Sequence, residues 1–255
     1  MANKNFLKSL TPNILQIVIL LISVVAAFYI GKLSTEVKMY KEGLQPGNAV
    51  NPTGQAAQPQ PDAQPYQPID SSTFTYPSQD DHTRGDPNGS IAIVEYSDFD
   101  CPFCSSFHET AKKVLENYDG EVFWVYRHFP LVQLHPDALN KAIASECIYD
   151  QGGDEAFWSY ADDIFATGQG VPLTDAILQK MATDLGINGS QLISCFNNKE
   201  TQAAVDADEQ DGNKVGVMGT PGNYIVNLET DTIIPLRGAE PYENVVNVIG
   251  MVQDN

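Results

Sequence analysis

Apolar residues are spread unevenly along the chain. From Ile14 to Ile30 an uncharged run is interrupted only by Gln16 and Ser23. As a helix it would be about 26 Å long, close to the roughly 30 Å hydrocarbon core of a bilayer, and its backbone would satisfy its own hydrogen bonds in lipid. The pattern predicts a transmembrane anchor over residues 13–31 behind a short segment, 1–12. A cleaved signal peptide is the rival, since Lys4 and Lys8 form a basic start and Ser23, Ala26 and Ala27 are small. The length of the run and the bulky Phe28-Tyr29-Ile30 favour the uncleaved anchor.

Between Gly43 and Asp70 the apolar pattern vanishes, leaving six prolines, six glutamines and no basic residue. Such a stretch buries too little to offset chain entropy, so residues 32–83 are expected to be a flexible linker, with folded sequence starting near Thr73 or Arg84. Ile91–Tyr96 then reads as a buried strand, and Pro102 opens a helix running to about Tyr118. Val122–Tyr126 reads as a second strand, paired parallel to the first. Helices are predicted over 137–150, 154–166, 174–185, 190–197 and 201–215, between Gly, Pro or Asn breaks. Strands over 223–228 and 232–236 and a helix over 242–252 close the chain. The order is βαβ, a helical insertion at about 133–215, then ββα, an α/β domain over 84–252.

Charge narrows the setting. Residues 1–42 hold five basic and two acidic side chains; the remainder holds nine basic and 31 acidic, a net charge of −22. So acidic a surface excludes nucleic-acid binding through phosphates and avoids anionic lipid. Lysines flank the apolar run on both sides, Lys4 and Lys8 before it and Lys32, Lys38 and Lys41 after it, so the positive-inside count is nearly balanced. Four cysteines, two of them far apart downstream, suit an oxidising compartment. Membrane attachment through residues 14–30 with the domain on the extracytoplasmic side is the expected arrangement.

The chemistry centres on Cys101-Pro102-Phe103-Cys104. A bare C-x-x-C also serves zinc sites, and His108 could share its helix face. A structural zinc site usually needs a fourth ligand and a second ligand pair, and none is evident, so no metal is expected. The motif follows a buried strand and opens a helix, where unpaired N–H groups and the helix dipole stabilise a thiolate. Cys101 is therefore the candidate nucleophile, and Cys104, one turn on, the candidate resolving thiol. Glu95 sits inside the apolar strand. Alternation could turn it to solvent; buried among apolar neighbours, it would have a raised pKa and could accept the proton of Cys104.

Several motifs in order resemble the DsbA-like branch of the thioredoxin superfamily, in its membrane-anchored bacterial form. They are Val94 to Cys104, Arg127-His128-Phe129-Pro130-Leu131, Ala144-Ser145-Glu146-Cys147, Ala156-Phe157-Trp158-Ser159-Tyr160 and Gly216-Val217-Met218-Gly219-Thr220-Pro221. The resemblance covers about residues 85–252. It implies a thioredoxin fold interrupted by a helical domain, and a cis Thr220–Pro221 bond facing the C-x-x-C, beside which substrate backbone can pair. From the residues alone, 219–222 reads as an ordinary turn. The resemblance places Glu95 on a buried acidic position and implies a second, non-catalytic disulfide, Cys147–Cys195. Read as residues, those two cysteines could equally be buried free thiols.

Two departures stand out. The strongest oxidases of the family carry a thiolate-stabilising histidine between the cysteines, where Phe103 stands here. After Pro221, Gly222-Asn223-Tyr224 implies a smaller and more flexible lip to the substrate groove. The expected function is an extracytoplasmic thiol:disulfide oxidoreductase, foremost a dithiol oxidase acting on cysteine-containing exported proteins and recharged by a quinone-linked membrane partner. An isomerase or reductase using the same cysteines is the alternative. The non-enzyme alternative is a surface scaffold with a structural C-x-x-C disulfide. No phosphate-binding glycine loop, flavin or nicotinamide signature appears, so the redox-active disulfide Cys101–Cys104 is the only cofactor expected.

Overall fold

Strand β2 (Ile91–Ser97) carries seven consecutive buried residues and occupies the centre of a five-stranded sheet of order β1-β3-β2-β4-β5. The computed structural model describes residues 66–254; the expected anchor and the linker as far as residue 65 lie outside them. β3 (Val122–His128) pairs parallel to β2, whereas β4 (Gly222–Asn227) pairs antiparallel to β2. β5 (Thr232–Pro235) and the short β1 (His82–Arg84) complete the edges, both antiparallel. Helix α1 (Pro102–Asn117) links β2 to β3, and α6 (Tyr242–Gln253) closes the fold and packs beside α1.

The insertion contains α2 (Ala138–Asp163), α3 (Asp175–Leu185), α4 (Gly189–Asn198) and α5 (Gln202–Lys214). The break expected near residues 151–153 is present as a kink within α2, where Gly153 has φ 63° and ψ −161°. That left-handed backbone suits a residue without Cβ. A π turn, Ile164–Gly168, follows α2. Thr174 and Asn188 cap α3 and α4 by accepting hydrogen bonds from Ile177 N and Gln191 N, as their side chains favour at helix starts.

Both faces of the sheet are covered, which is why β2 reads as a continuous apolar run. Ile91, Ile93, Trp124 and Tyr126 face α1, α6 and the insertion. Ala92, Val94, Tyr96, Phe123 and Val125 form a second cluster with Phe74 and Tyr224.

The start of the folded region differs from expectation. Residues 66–83 lie on the sheet: Ile69 N donates to Ile233 O, and Phe74 enters the second cluster. Arg127 donates to Thr75 O, Tyr76 O and both carboxylate oxygens of Asp81. The boundary at residue 84 therefore falls too late. Strand β1 has only three residues, too few to show alternation, and pairing with β3 is what makes it a strand.

Candidate active site

The loop between β2 and α1 is held from several sides. Cys101 is the N-cap of α1, with Pro102 at the first helical position, and Cys101 N donates to Asp98 O at 3.0 Å. The carboxylate of buried Asp98 accepts from Asp100 N and from Leu131 N, each at 2.8 Å, and pairs with His135 Nδ1. The insertion supplies the remaining contacts. Fully buried Lys141 pairs with Asp100 and donates to Gly168 O. Gln169 Nε2 donates to Cys101 O at 2.8 Å and Phe99 O at 3.2 Å. Nothing local in the sequence marks Lys141 or Gln169, whose partners lie tens of residues away; Asp98 stands in the turn before the motif, but its bonds to Leu131 and His135 span 33 and 37 positions.

Both cysteines of the motif are free thiols and buried. Cys101 Sγ lies 3.3 Å from Thr220 O, and the Thr220–Pro221 bond is cis. Residues 119 positions apart are thus brought together as the resemblance implied. A hydrogen bond from Cys104 is the main cause holding the Cys101 thiol well below its ordinary pKa; the Thr220 side chain and backbone N–H groups at the helix start add to it. Desolvation, then donation to Cys101, pushes Cys104 well above its ordinary value. The two sulfurs are therefore chemically unequal, one poised as thiolate and the other as its proton-bearing partner.

Glu95 is on the face of β2 turned toward α1, not toward solvent. Burial raises its pKa from 4.5 to about 8, against the lowering effect of hydrogen bonds from Ser97 Oγ at 2.7 Å and Trp124 Nε1 at 3.1 Å. Its charge is also felt at Cys104. His108 is buried as well and pairs with Asp162 through Nε2 at 2.6 Å. Among the described residues, Cys101, Cys104 and His108 do not form a cluster with metal-binding geometry.

Cys147 and Cys195 are joined by a disulfide across α2 and α4, with Cα atoms 6.0 Å apart. The lip after Pro221 is firmer than expected. Gly222 is paired with Tyr96 in the sheet, and Asn223 is buried and donates to Gly238 O. A Cβ on Gly222 would lie 2.8 Å from Val217 Cγ1, so close packing, and not a need for flexibility, accounts for the glycine. Around the cysteines, Phe103 (65% exposed) and Met218 (98% exposed) present apolar surface to solvent.

The profile of a family described as Thioredoxin matches residues 77–233. The chain belongs to the thioredoxin family. Its structural neighbours include DsbA2 of Pseudomonas aeruginosa, 26% identical with a TM-score of 0.59, covering 70% of this chain and 96% of that one. Another is alpha-DsbA1 of Wolbachia pipientis, 25% identical with a TM-score of 0.56, covering 69% and 92%. BdbD of Bacillus subtilis, at 18% identity and a TM-score of 0.59, shares the fold. This thioredoxin-family chain is thus DsbA-like, and DsbA-like proteins use a redox-active disulfide in place of an external cofactor. Curated relatives include the Na(+)/H(+) antiporter NhaA 1 of Mycolicibacterium gilvum, 29% identical over 145 residues, or 57% of this chain. The chain spans only 23% of that protein's length, and the transport named there belongs to the longer protein.

Proposed function

We propose that the protein is an extracytoplasmic dithiol oxidase that introduces disulfides into exported proteins through Cys101 and Cys104. The observation that carries this reading is the unequal cysteine pair. Cys101 caps a helix, is held toward the thiolate, and faces the Thr220 carbonyl beside cis Pro221, while Cys104 is buried and proton-bearing behind it.

In the forward cycle a substrate thiolate attacks Cys101 Sγ of the oxidised pair. The Cys101–Cys104 bond breaks, and Cys104 leaves as a thiolate that takes a proton from the Glu95 carboxyl. A second substrate thiolate attacks the substrate sulfur of the mixed disulfide, forming the substrate disulfide and releasing Cys101 as a stabilised thiolate. Two electrons then reside on the enzyme and pass to a membrane partner coupled to quinone. The apolar run 14–30 would hold the domain near that partner. Run backwards, Glu95 accepts the proton as Cys104 attacks, so the site also serves an isomerase or reductase. Phe103, whose side chain offers no hydrogen bond to the thiolate, favours that second reading.

The deciding experiment is the equilibrium potential of Cys101–Cys104 against glutathione. A value near the strongly oxidising end, about −120 mV, supports the oxidase; one near about −270 mV overturns it in favour of a reductase. Membrane attachment is tested separately, by whether the full chain stays in the pellet after alkaline extraction and whether added protease reaches the domain in intact cells.

A further inference from the structure

We infer that His82, His128 and Glu146 form a zinc-binding site that fastens the edge strand β1 to the sheet and to the insertion. The three come from separate elements, β1, the end of β3 and α2. All are buried, at 4%, 1% and 7% exposure. His82 Nε2 and His128 Nε2 both point at one atom, Glu146 Oε1, at 2.5 and 2.8 Å. The ligand atoms lie within 4.8 Å of one another.

One carboxylate oxygen facing two imidazole nitrogens is the donor set a borderline-soft divalent cation takes. Two nitrogens and an oxygen suit zinc, whereas calcium and magnesium are held by oxygen alone. Bonds of about 2.0 Å in a tetrahedron put neighbouring ligand atoms about 3.3 Å apart. His82 Nε2, at 2.5 Å, therefore needs to move from the oxygen by about 0.8 Å and His128 Nε2, at 2.8 Å, by about 0.5 Å, shifts that side-chain rotation supplies. Binding uses the lone pair of each Nε2, so each ring carries its proton on Nδ1 when the metal is bound. Neither Nδ1 has a hydrogen-bond partner among the described residues. His82 Nδ1 lies 3.9 Å from Asp154 Oδ1, which is placed to accept the new N–H and orient the ring. Stacking of His82 on Phe157, ring centroids 3.8 Å apart, holds that ring in place. The fourth position is left for water or for Ser145 Oγ, 3.5 Å from His128 Nε2.

The site does not involve the cysteine motif, so its test is run in a Cys101→Ser/Cys104→Ser background, where thiolates cannot supply the ligand. The full chain in detergent, freed of metal by chelation, is titrated with zinc alone and followed by native mass spectrometry and thermal melting. One zinc per chain is expected, and at zinc a hundredfold above the dissociation constant the midpoint rises by roughly 5–10 °C. Glu146→Gln and His82→Gln, which keep side-chain volume, are expected to lose both effects. No zinc bound by the folded background protein overturns the proposal and leaves a hydrogen-bonded cluster. Zinc retained undiminished by both variants also overturns it. If either variant fails to fold, cobalt in the background protein decides: visible bands of tetrahedral intensity support the site, and a silent spectrum overturns it.

Discussion

Glu95 is where burial and chemistry meet most directly. Its pKa of about 8 lies above the ordinary 4.5, so between these values the native state keeps a proton that the unfolded chain has lost. Its contribution to stability is therefore intact below about pH 4.5 and declines as pH rises through about 8, by at most about 5 kcal/mol. Glu95→Gln should flatten this part of the stability–pH profile in urea titrations at pH 5, 7 and 8.5, with its largest gain over the parent at pH 8.5. The same change should slow mixed-disulfide resolution roughly 10- to 100-fold, measured by stopped-flow with a model dithiol. At Phe103, 65% exposed in the first turn of α1, the expectation is a change of potential. Phe103→His adds a donor near the thiolate and stabilises the reduced form, so the potential should rise, by about 30 mV for each 1.4 kcal/mol gained. A glutathione equilibrium that does not shift toward the reduced enzyme refutes this.

Among the elements, the insertion acts on the redox loop as much as it covers the sheet. Lys141 reaches from α2 to Asp100, and Gln169, just after the π turn, donates to the carbonyl of Cys101. Lys141→Met removes one partner of a buried ion pair, a change that costs about 3–5 kcal/mol. Calorimetry should show the midpoint falling by roughly 10 °C, and Cys101 alkylation should change with it because the loop is no longer pinned. The disulfide between α2 and α4 encloses a separation of 48 residues, so its loss acts mainly on the unfolded chain. Replacing Cys147 and Cys195 with Ser should cost about 2–5 kcal/mol, while the rate of Cys101 alkylation stays as it was.

For the whole molecule, residues 66–83 decide where the domain begins. They provide most of β1, Phe74 and most of the partners of Arg127, a side chain only 3% exposed. A chain starting at residue 66 should unfold cooperatively. One starting at residue 84 leaves the Arg127 guanidinium without Asp81 and should lose more than 10 °C in melting midpoint, or fail to fold. Equal midpoints for the two would show that the segment is only draped on the surface.

The order of strands and helices was legible in the chain because most main elements satisfy a local rule: Ile91–Tyr96 is a bounded apolar run, Pro102 opens a helix, and Thr174 and Asn188 cap α3 and α4. The C-x-x-C was legible for the same reason, since helix start and cysteine spacing are both local. Residues alone could not select cis for Thr220–Pro221, pair Cys147 with Cys195, or show that the face of β2 carrying Glu95 is covered. Each of these depends on what the folded chain brings alongside: Cys101 across 119 residues, α4 beside α2, and α1 over the face of β2. Short β1, Lys141 and Gln169 acquire meaning only from such neighbours. The sequence determined a helix that begins at a reactive cysteine. Tertiary structure decided which cysteine holds the charge and which the proton, because burial and hydrogen bonding depend on distant residues.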